Sequence, residues 1–197
     1  MIPANAPPSA NDPITSPLVT MKVLALAGSS SSTSINLQLA VYAAGLIPDS
    51  QVTSLDLRDF EAPIYSSDEE SANGIPAAAV AFLEQIDAHG AIVISLAEHN
   101  GSYAAAFKNL YDWCSRKQPE VWGDKRMLLM ATSPGARGGA TVLATAKATF
   151  PRMGADLRAV FSLPGFYDNF SVEEGITEPD LASQLKAAVA QLSGSTK

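Results

Sequence analysis

The chain has 197 residues, 47% hydrophobic and 17% charged, so it is about one domain in length and globular rather than disordered in composition. Lys and Arg total 13 against 20 Asp and Glu, a formal charge of −7 that argues against nucleic acid or an anionic membrane as the main partner. A single cysteine, Cys114, excludes an intrachain disulfide, and with only His89 and His99 beside it the chain is poor in ligands for a His/Cys metal site.

Residues 1–20 hold five prolines and little that can pack, which predicts a disordered arm, with a tethering or regulatory role as the alternative. A basic n-region and an apolar h-region are both missing, so a secretory signal is not expected and a cytoplasmic location is. No apolar run reaches the length of a membrane span. Residues 22–27 form an apolar first strand that stops at Gly28. A run of hydroxyl residues from Ser29 to Ser34 follows, and a helical rhythm then covers residues 34–45. Residues 51–57 alternate apolar and polar as a second strand, and residues 59–73 read as a loop whose acids Asp68, Glu69 and Glu70 are solvated. A helix over residues 75–89 is marked by Ala79, Phe82, Leu83 and Ile86, and Ala91–Leu96 is a third strand. A helix over 104–117, a strand over 126–132 and a helix over 139–153, its last turn disturbed by Pro151, come next. A fifth strand over Ala155–Leu163 and a closing helix over 179–192, with Pro179 in its first turn, complete the chain.

Apolar strands alternating with helices imply parallel βαβ units. The expected class is α/β: one three-layer flavodoxin-like domain over residues 21–197, with a five-stranded parallel sheet of order 2-1-3-4-5. That order puts a switch point between strands one and three, so the loops after strands one, three and four line one crevice.

Those three loops have unusual contents. Residues 28–36 join a buried strand to a helix start, the geometry that offers free backbone N–H groups and a positive helix end to a phosphate. Ser29, Ser34 and Asn36 can donate to its oxygens, although a serine-rich loop with Ser34 as an ordinary N-cap fits equally well. In residues 97–103, Gly101 permits close approach of a flat ring, while His99 and Tyr103 can stack or hydrogen-bond. The plainer readings are that Asn100-Gly101 is a common turn, Ser102 a common N-cap, His99 solvated, and Glu98 a solvated or N-cap acid. In residues 133–139, three glycines fit backbone-only contacts or a mobile rim, a flexible turn being the alternative. The coincidence of all three at the ends of one sheet is the functional signal. Elsewhere G-x-S-x-G, G-x-G-x-x-G and G-x-x-x-x-G-K-[ST] are all missing. Cys114 reads as a packed structural thiol, and Tyr111 and Trp113 as core or interface anchors.

These residues give the chain its resemblance to the NAD(P)H-dependent FMN reductase family, the flavodoxin-like group that includes chromate, quinone and azo-dye reductases. The family's Gly-Ser-x-Arg-x-x-Ser-x-Asn is matched by residues 28–36, and its Pro-Glu-Tyr-Asn-Gly-Ser by Ala97-Glu98-His99-Asn100-Gly101-Ser102. Its Lys-Asn-x-x-Asp-Trp helix is matched by residues 108–113, and its Ser-x-Gly-x-x-Gly-Gly loop by residues 133–139. The resemblance implies that Ser29, Ser31, Ser34, the Ile35 amide and Asn36 hold the phosphate of FMN. It implies that Glu98, His99, Asn100 and Gly101 border the isoalloxazine, and that Ser133, Gly135, Gly138 and Gly139 close its other side. It further implies NADPH or NADH as electron donor and a homodimer or homotetramer. The chain departs from the family at Ser31, which replaces an arginine, at His99, which replaces a tyrosine, and at Ala97, which replaces a proline.

The expected activity is hydride transfer from a nicotinamide to FMN and on to a small-molecule acceptor such as a quinone or azo compound. No catalytic side chain is required, His99 being a candidate proton donor to a reduced quinone. A flavodoxin-like electron carrier without NAD(P)H oxidase activity, and a flavin-free interaction protein, are the alternatives. The sequence does not identify a partner for the 2′-phosphate of NADPH; Arg137 is one candidate.

Overall fold

The computed structural model describes residues 20–193, so the arm expected over residues 1–20 lies, but for Thr20, outside the described residues. β1 (Met21–Gly28) is buried from Val23 onward and ends at Gly28, where a Cβ would sit 2.8 Å from Leu96 Cδ2 and 3.2 Å from the Phe107 ring. α1 (Ile35–Gly45) begins at Ser34, whose Oγ accepts the Leu37 N–H at 3.2 Å, and packs its buried face over the sheet. β2 (Ser50–Leu55) is a half-exposed edge strand leading to a 3₁₀ turn (Leu57–Phe60).

The loop expected over residues 59–73 is corrected here: its second half is a helix, α2 (Ser67–Asn73). Ser66 Oγ caps it through the Glu69 N–H, and Asp68, Glu69 and Glu70 form an acidic first turn that suits the positive end of a helix. α3 (Ala77–Asp87) buries Ala79, Phe82, Leu83 and Ile86, and β3 (Ala91–Leu96) is buried throughout. A short antiparallel hairpin follows, β4 (Glu98–His99) and β5 (Ser102–Tyr103), and then α4 (Ala105–Lys117) and β6 (Lys125–Thr132). α5 (Ala140–Thr149) is shorter than the helix expected over 139–153. Pro151 has no N–H to extend it, and the chain tightens into a 3₁₀ turn (Phe150–Met153) that Gly154 closes at φ +83°. After β7 (Ala155–Leu163) comes an excursion that the periodicity did not announce: α6 (Phe166–Asn169), β8 (Phe170–Ser171) and β9 (Gly175–Ile176). α7 (Pro179–Ser193) ends the described chain.

The main sheet is parallel throughout in the order β2-β1-β3-β6-β7, which is the expected 2-1-3-4-5 once the hairpin strands are set aside. Alternate residues of each central strand feed opposite faces. Leu24, Leu26, Ile92, Ile94, Met127 and Leu129 pack with α3, α4 and α5 on one side. Val23, Ala25, Val93, Leu128 and Met130 pack with α1 and α7 on the other. Burial on both faces explains why these strands read as continuous apolar runs. The common parallel direction of the strands brings the strand-to-helix turns out at one edge of the sheet.

Candidate functional site

The turns after β1, β3 and β6 do meet. They enclose a cleft of about 230 Å³ whose walls include Ser29, Ser31, Ser34, Ile35 and Asn36 from the first turn, Glu98 and His99 from the second, and Ser133 from the third. In the first turn the Ser31 N–H donates to Ser29 Oγ at 3.3 Å, and the Thr33 N–H to Ser31 Oγ at 3.3 Å. These contacts turn the chain into α1, whose first-turn amides at Ile35 and Asn36 have no intrahelical carbonyl to meet. Ser34 Oγ is occupied as an acceptor by its capping bond, which leaves its own hydrogen free to donate.

Asn36 has a different role from the one expected of its side chain. Its amide is 3% exposed and turned into the protein: Oδ1 accepts from Ser95 Oγ at 2.7 Å and from the Thr132 N–H at 3.1 Å, while Nδ2 donates to the Thr132 carbonyl at 3.2 Å. It therefore clamps α1 to the ends of β3 and β6, and only its backbone N–H belongs to the helix end.

The second turn is built by the hairpin. Asn100 at φ +52° and Gly101 at φ +73° make a two-residue turn of the kind Asn-Gly favours. They form the tip of the hairpin, Asn100 exposed and Gly101 half-buried, and are not among the residues walling the cleft. Glu98 reaches from this hairpin to α5, where Oε2 accepts the N–H groups of Thr141 and Val142 at 2.9 Å each. Gly139, the residue before α5, has no side chain to cap it, so a carboxylate from another element takes that place. Glu98 is thus an N-cap acid. Tyr103 is turned away from the cleft: its ring stacks parallel to Phe150 and its hydroxyl meets Thr149 Oγ1 at 3.1 Å.

In the third turn the glycines divide. Gly138 (φ +54°) and Gly139 (φ +74°) are buried against their own chain. A Cβ on Gly138 would lie 2.9 Å from Pro164 N, and one on Gly139 2.8 Å from Ala131 Cβ. Gly135 is exposed, and a Cβ added to it would meet nothing closer than Ser133 Oγ at 4.0 Å. The Gly165 N–H donates to the Gly135 carbonyl at 3.0 Å and the Phe166 N–H to that of Ser133 at 3.1 Å, which ties the excursion after β7 to this turn. That tie brings Tyr167, 72% exposed, to the cleft wall beside Pro134 and Thr132. Sequence reasoning missed Tyr167 because it followed only three strand ends; an aromatic just past the Pro164-Gly165 turn marks the fourth.

The residues of the Lys-Asn-x-x-Asp-Trp match act from below. Asn109 accepts the Tyr65 N–H at 2.9 Å and donates to the Ala62 and Pro63 carbonyls, and Trp113 Nε1 donates to Pro63 O at 2.7 Å. They fasten the segment that follows β2. Cys114 next to them is fully buried, and burial pushes its thiol up from an ordinary 9.0 to about 12, so it holds no nucleophilic thiolate. A raised folded-state value gives stability that is complete below pH 9 and fades as pH climbs toward 12. Cys114 is expected to react with a thiol reagent only after unfolding. The alkaline fall in urea midpoint is expected to be shallower in Cys114→Ala than in the unaltered chain.

The cleft offers hydroxyls, helix-end amides and one carboxylate. That carboxylate is already met by two amides and by Arg137, whose Nη2 lies 3.6 Å from Glu98 Oε1, so it does not oppose an anion beside it. No acid lies in the first turn of α1. The donor set therefore fits a phosphate carried on a flat heterocycle, held by neutral donors and a helix end rather than by an arginine. A larger groove of about 370 Å³ lies beyond Thr33 and Ser34, where Leu37, Val41, Phe170 and Val172 stand among hydroxyl and amide residues such as Ser32, Gln38 and Ser54; it draws on neither the β3 nor the β6 turn.

Residues 21–170 match the family described as NADPH-dependent FMN reductase. An NAD(P)H-dependent FMN reductase of Pseudomonas aeruginosa is 36% identical over 121 residues, 61% of this chain and 64% of that protein. A quinone reductase of Escherichia coli K12 is 31% identical over 120 residues, again 61% of this chain and 64% of that protein. The chain thus matches somewhat less than two thirds of the length of these relatives. Among solved structures, the flavoenzyme NAD(P)H:(acceptor) oxidoreductase FerB of Paracoccus denitrificans aligns with a TM-score of 0.69 at 23% identity, over 88% of this chain and 96% of that one. At that identity the likeness establishes a shared flavodoxin-like fold. The family match covers well over half of the sequence and every turn of the cleft, and the chain belongs to the NADPH-dependent FMN reductase family.

Proposed function

We propose that residues 21–197 form one FMN-binding domain of an NAD(P)H-dependent oxidoreductase that passes hydride from a nicotinamide to the flavin and on to a quinone, azo compound or similar small acceptor. The observation that carries this reading is the meeting of three sequence-distant turns around a donor set with no unbalanced carboxylate. Bound FMN supplies the hydride chemistry. The chain's own residues bind and orient. The hydroxyls of Ser29, Ser31 and Ser34 and the amides of Ile35 and Asn36 hold the phosphate. The Glu98–Tyr103 hairpin and the Ser133–Gly139 turn border the ring. His99, exposed on the cleft wall, gives a proton from its imidazole to a reduced acceptor in this reading, which its position on that wall supports. The reading includes self-association as a homodimer or homotetramer, as the family resemblance implies. It includes a cytoplasmic location, supported by the one free cysteine. Among the described residues no helix is long and apolar enough to cross a membrane.

The purified protein is expected to quench FMN fluorescence on binding, to bleach anaerobically with NADPH or NADH, and to consume the nucleotide steadily when a quinone is added. Failure to bind FMN ends the proposal. Binding and bleaching without steady turnover would leave an electron carrier instead.

A further inference from the structure

Cations are scarce around the cleft, and two guanidiniums beside it, Arg58 and Arg137, are held differently. The residues that wall it include no lysine or arginine. Arg58, just past β2, lines a neighbouring cavity with Ser30, but its Nε and Nη2 hold both oxygens of Asp56, so its charge is already matched. Arg137 is 79% exposed, and its ion pair among the described residues is the 3.6 Å approach to Glu98 Oε1. Glu98 is satisfied by the amides of Thr141 and Val142 whether or not Arg137 is there. The guanidinium is tethered, not consumed. Its backbone is rooted, because the Arg137 carbonyl accepts the Ala140 N–H at 3.0 Å. Residues 134–137 form an exposed arc, and Pro134 at its start walls the cleft.

We propose that Arg137 reads the 2′-phosphate of NADPH and so sets the preference for NADPH over NADH; this rests on the reading of the cleft as a flavin site served by a pyridine dinucleotide. The 2′-phosphate is the one chemical difference between the two donors. A planar guanidinium can meet it with two parallel hydrogen bonds. A chain of net charge −7 otherwise disfavours the more anionic donor, so an exposed, loosely paired guanidinium at the rim of the cleft carries unusual weight. Glu98, which Arg137 reaches, and Pro134 are both wall residues, so the guanidinium stands at the rim of the cleft.

The test titrates 2′,5′-ADP and 5′-AMP calorimetrically into the protein with and without FMN, and measures KM for NADPH and NADH, in the unaltered chain, Arg137→Ala and Arg137→Lys. Alanine is expected to weaken 2′,5′-ADP by about tenfold or more, with a change within about twofold for 5′-AMP, and to raise the KM ratio of NADPH to NADH in parallel. Lysine is expected to recover part of the loss. Added salt is expected to erode the selectivity of the unaltered chain but not that of the alanine variant. Equal weakening of both probes, no change in either, or an unaltered chain that does not favour 2′,5′-ADP overturns the inference. Absence of FMN uptake by the unaltered chain instead sinks the flavin reading, and the two failures are read in separate titrations.

Discussion

Replacing Asn36 by alanine is expected to destabilise the protein by about 3–4 kcal/mol, a large share of the roughly 5–15 kcal/mol that holds a domain folded. The Asn36 side chain satisfies three buried groups at once: the Ser95 hydroxyl, the Thr132 N–H and the Thr132 carbonyl. Ser95 is 0% and Thr132 1% exposed, so water does not reach them as a substitute. Each orphaned group costs about 1–3 kcal/mol, and the hydroxyl has some freedom to turn elsewhere, which keeps the sum toward the lower end. Urea unfolding checks this through the midpoint, with the m-value unchanged. Removing the hydroxyl as well, in Asn36→Ala with Ser95→Ala, is expected to regain about 1 kcal/mol, because one orphan disappears. A loss smaller than about 1 kcal/mol in the single variant would show that the clamp is dispensable. The consequence for the site is positional. The same amide ties the start of α1 to the ends of β3 and β6, so the three turns that form the cleft share one fastening.

That fastening also marks where sequence reasoning stops. The three central strands were legible because burial on both faces leaves runs such as Ala91–Leu96 with no polar interruption but Ser95, and the edge strand β2 through its alternation. The cleft was legible because strand order alone sends the turns after β1, β3 and β6 to one edge. The roles of individual residues were less so. Asn36 finds its partner 96 positions away at Thr132, and Glu98 finds Thr141 43 positions away, so no local spacing reveals either bond. Two signals were present and undervalued. Ser66 with Glu69 is a capping pattern that announces α2, and Asn100-Gly101 between short extended pairs announces the hairpin. The excursion after β7 has no such signal. Its strands are two residues long and its helix four, too short for any period to show.

Gly138→Ala is expected to lower stability by about 3 kcal/mol, combining the cost of a side chain in left-handed backbone with overpacking. At φ +54° the new Cβ would press on Ser162 Oγ and lie 2.9 Å from Pro164 N and 3.0 Å from Leu163 C. Two of those neighbours are backbone at the end of β7, which the Thr132 hydroxyl already holds through the Leu163 carbonyl at 2.7 Å, so they have little room to retreat. Gly135→Ala, three residues earlier, is expected to change stability by no more than about 0.5 kcal/mol, since nothing crowds its Cβ and its φ is ordinary. The pair separates two reasons for glycine in one turn. If Gly135 is small so that a flavin ring can approach its backbone, its alanine variant loses FMN affinity while its urea midpoint stays in place. Gly138→Ala loses both together, because it distorts the turn itself. Equal stability loss in the two variants would contradict the geometry. Full FMN affinity in Gly135→Ala would move the ring away from this turn and toward the hairpin.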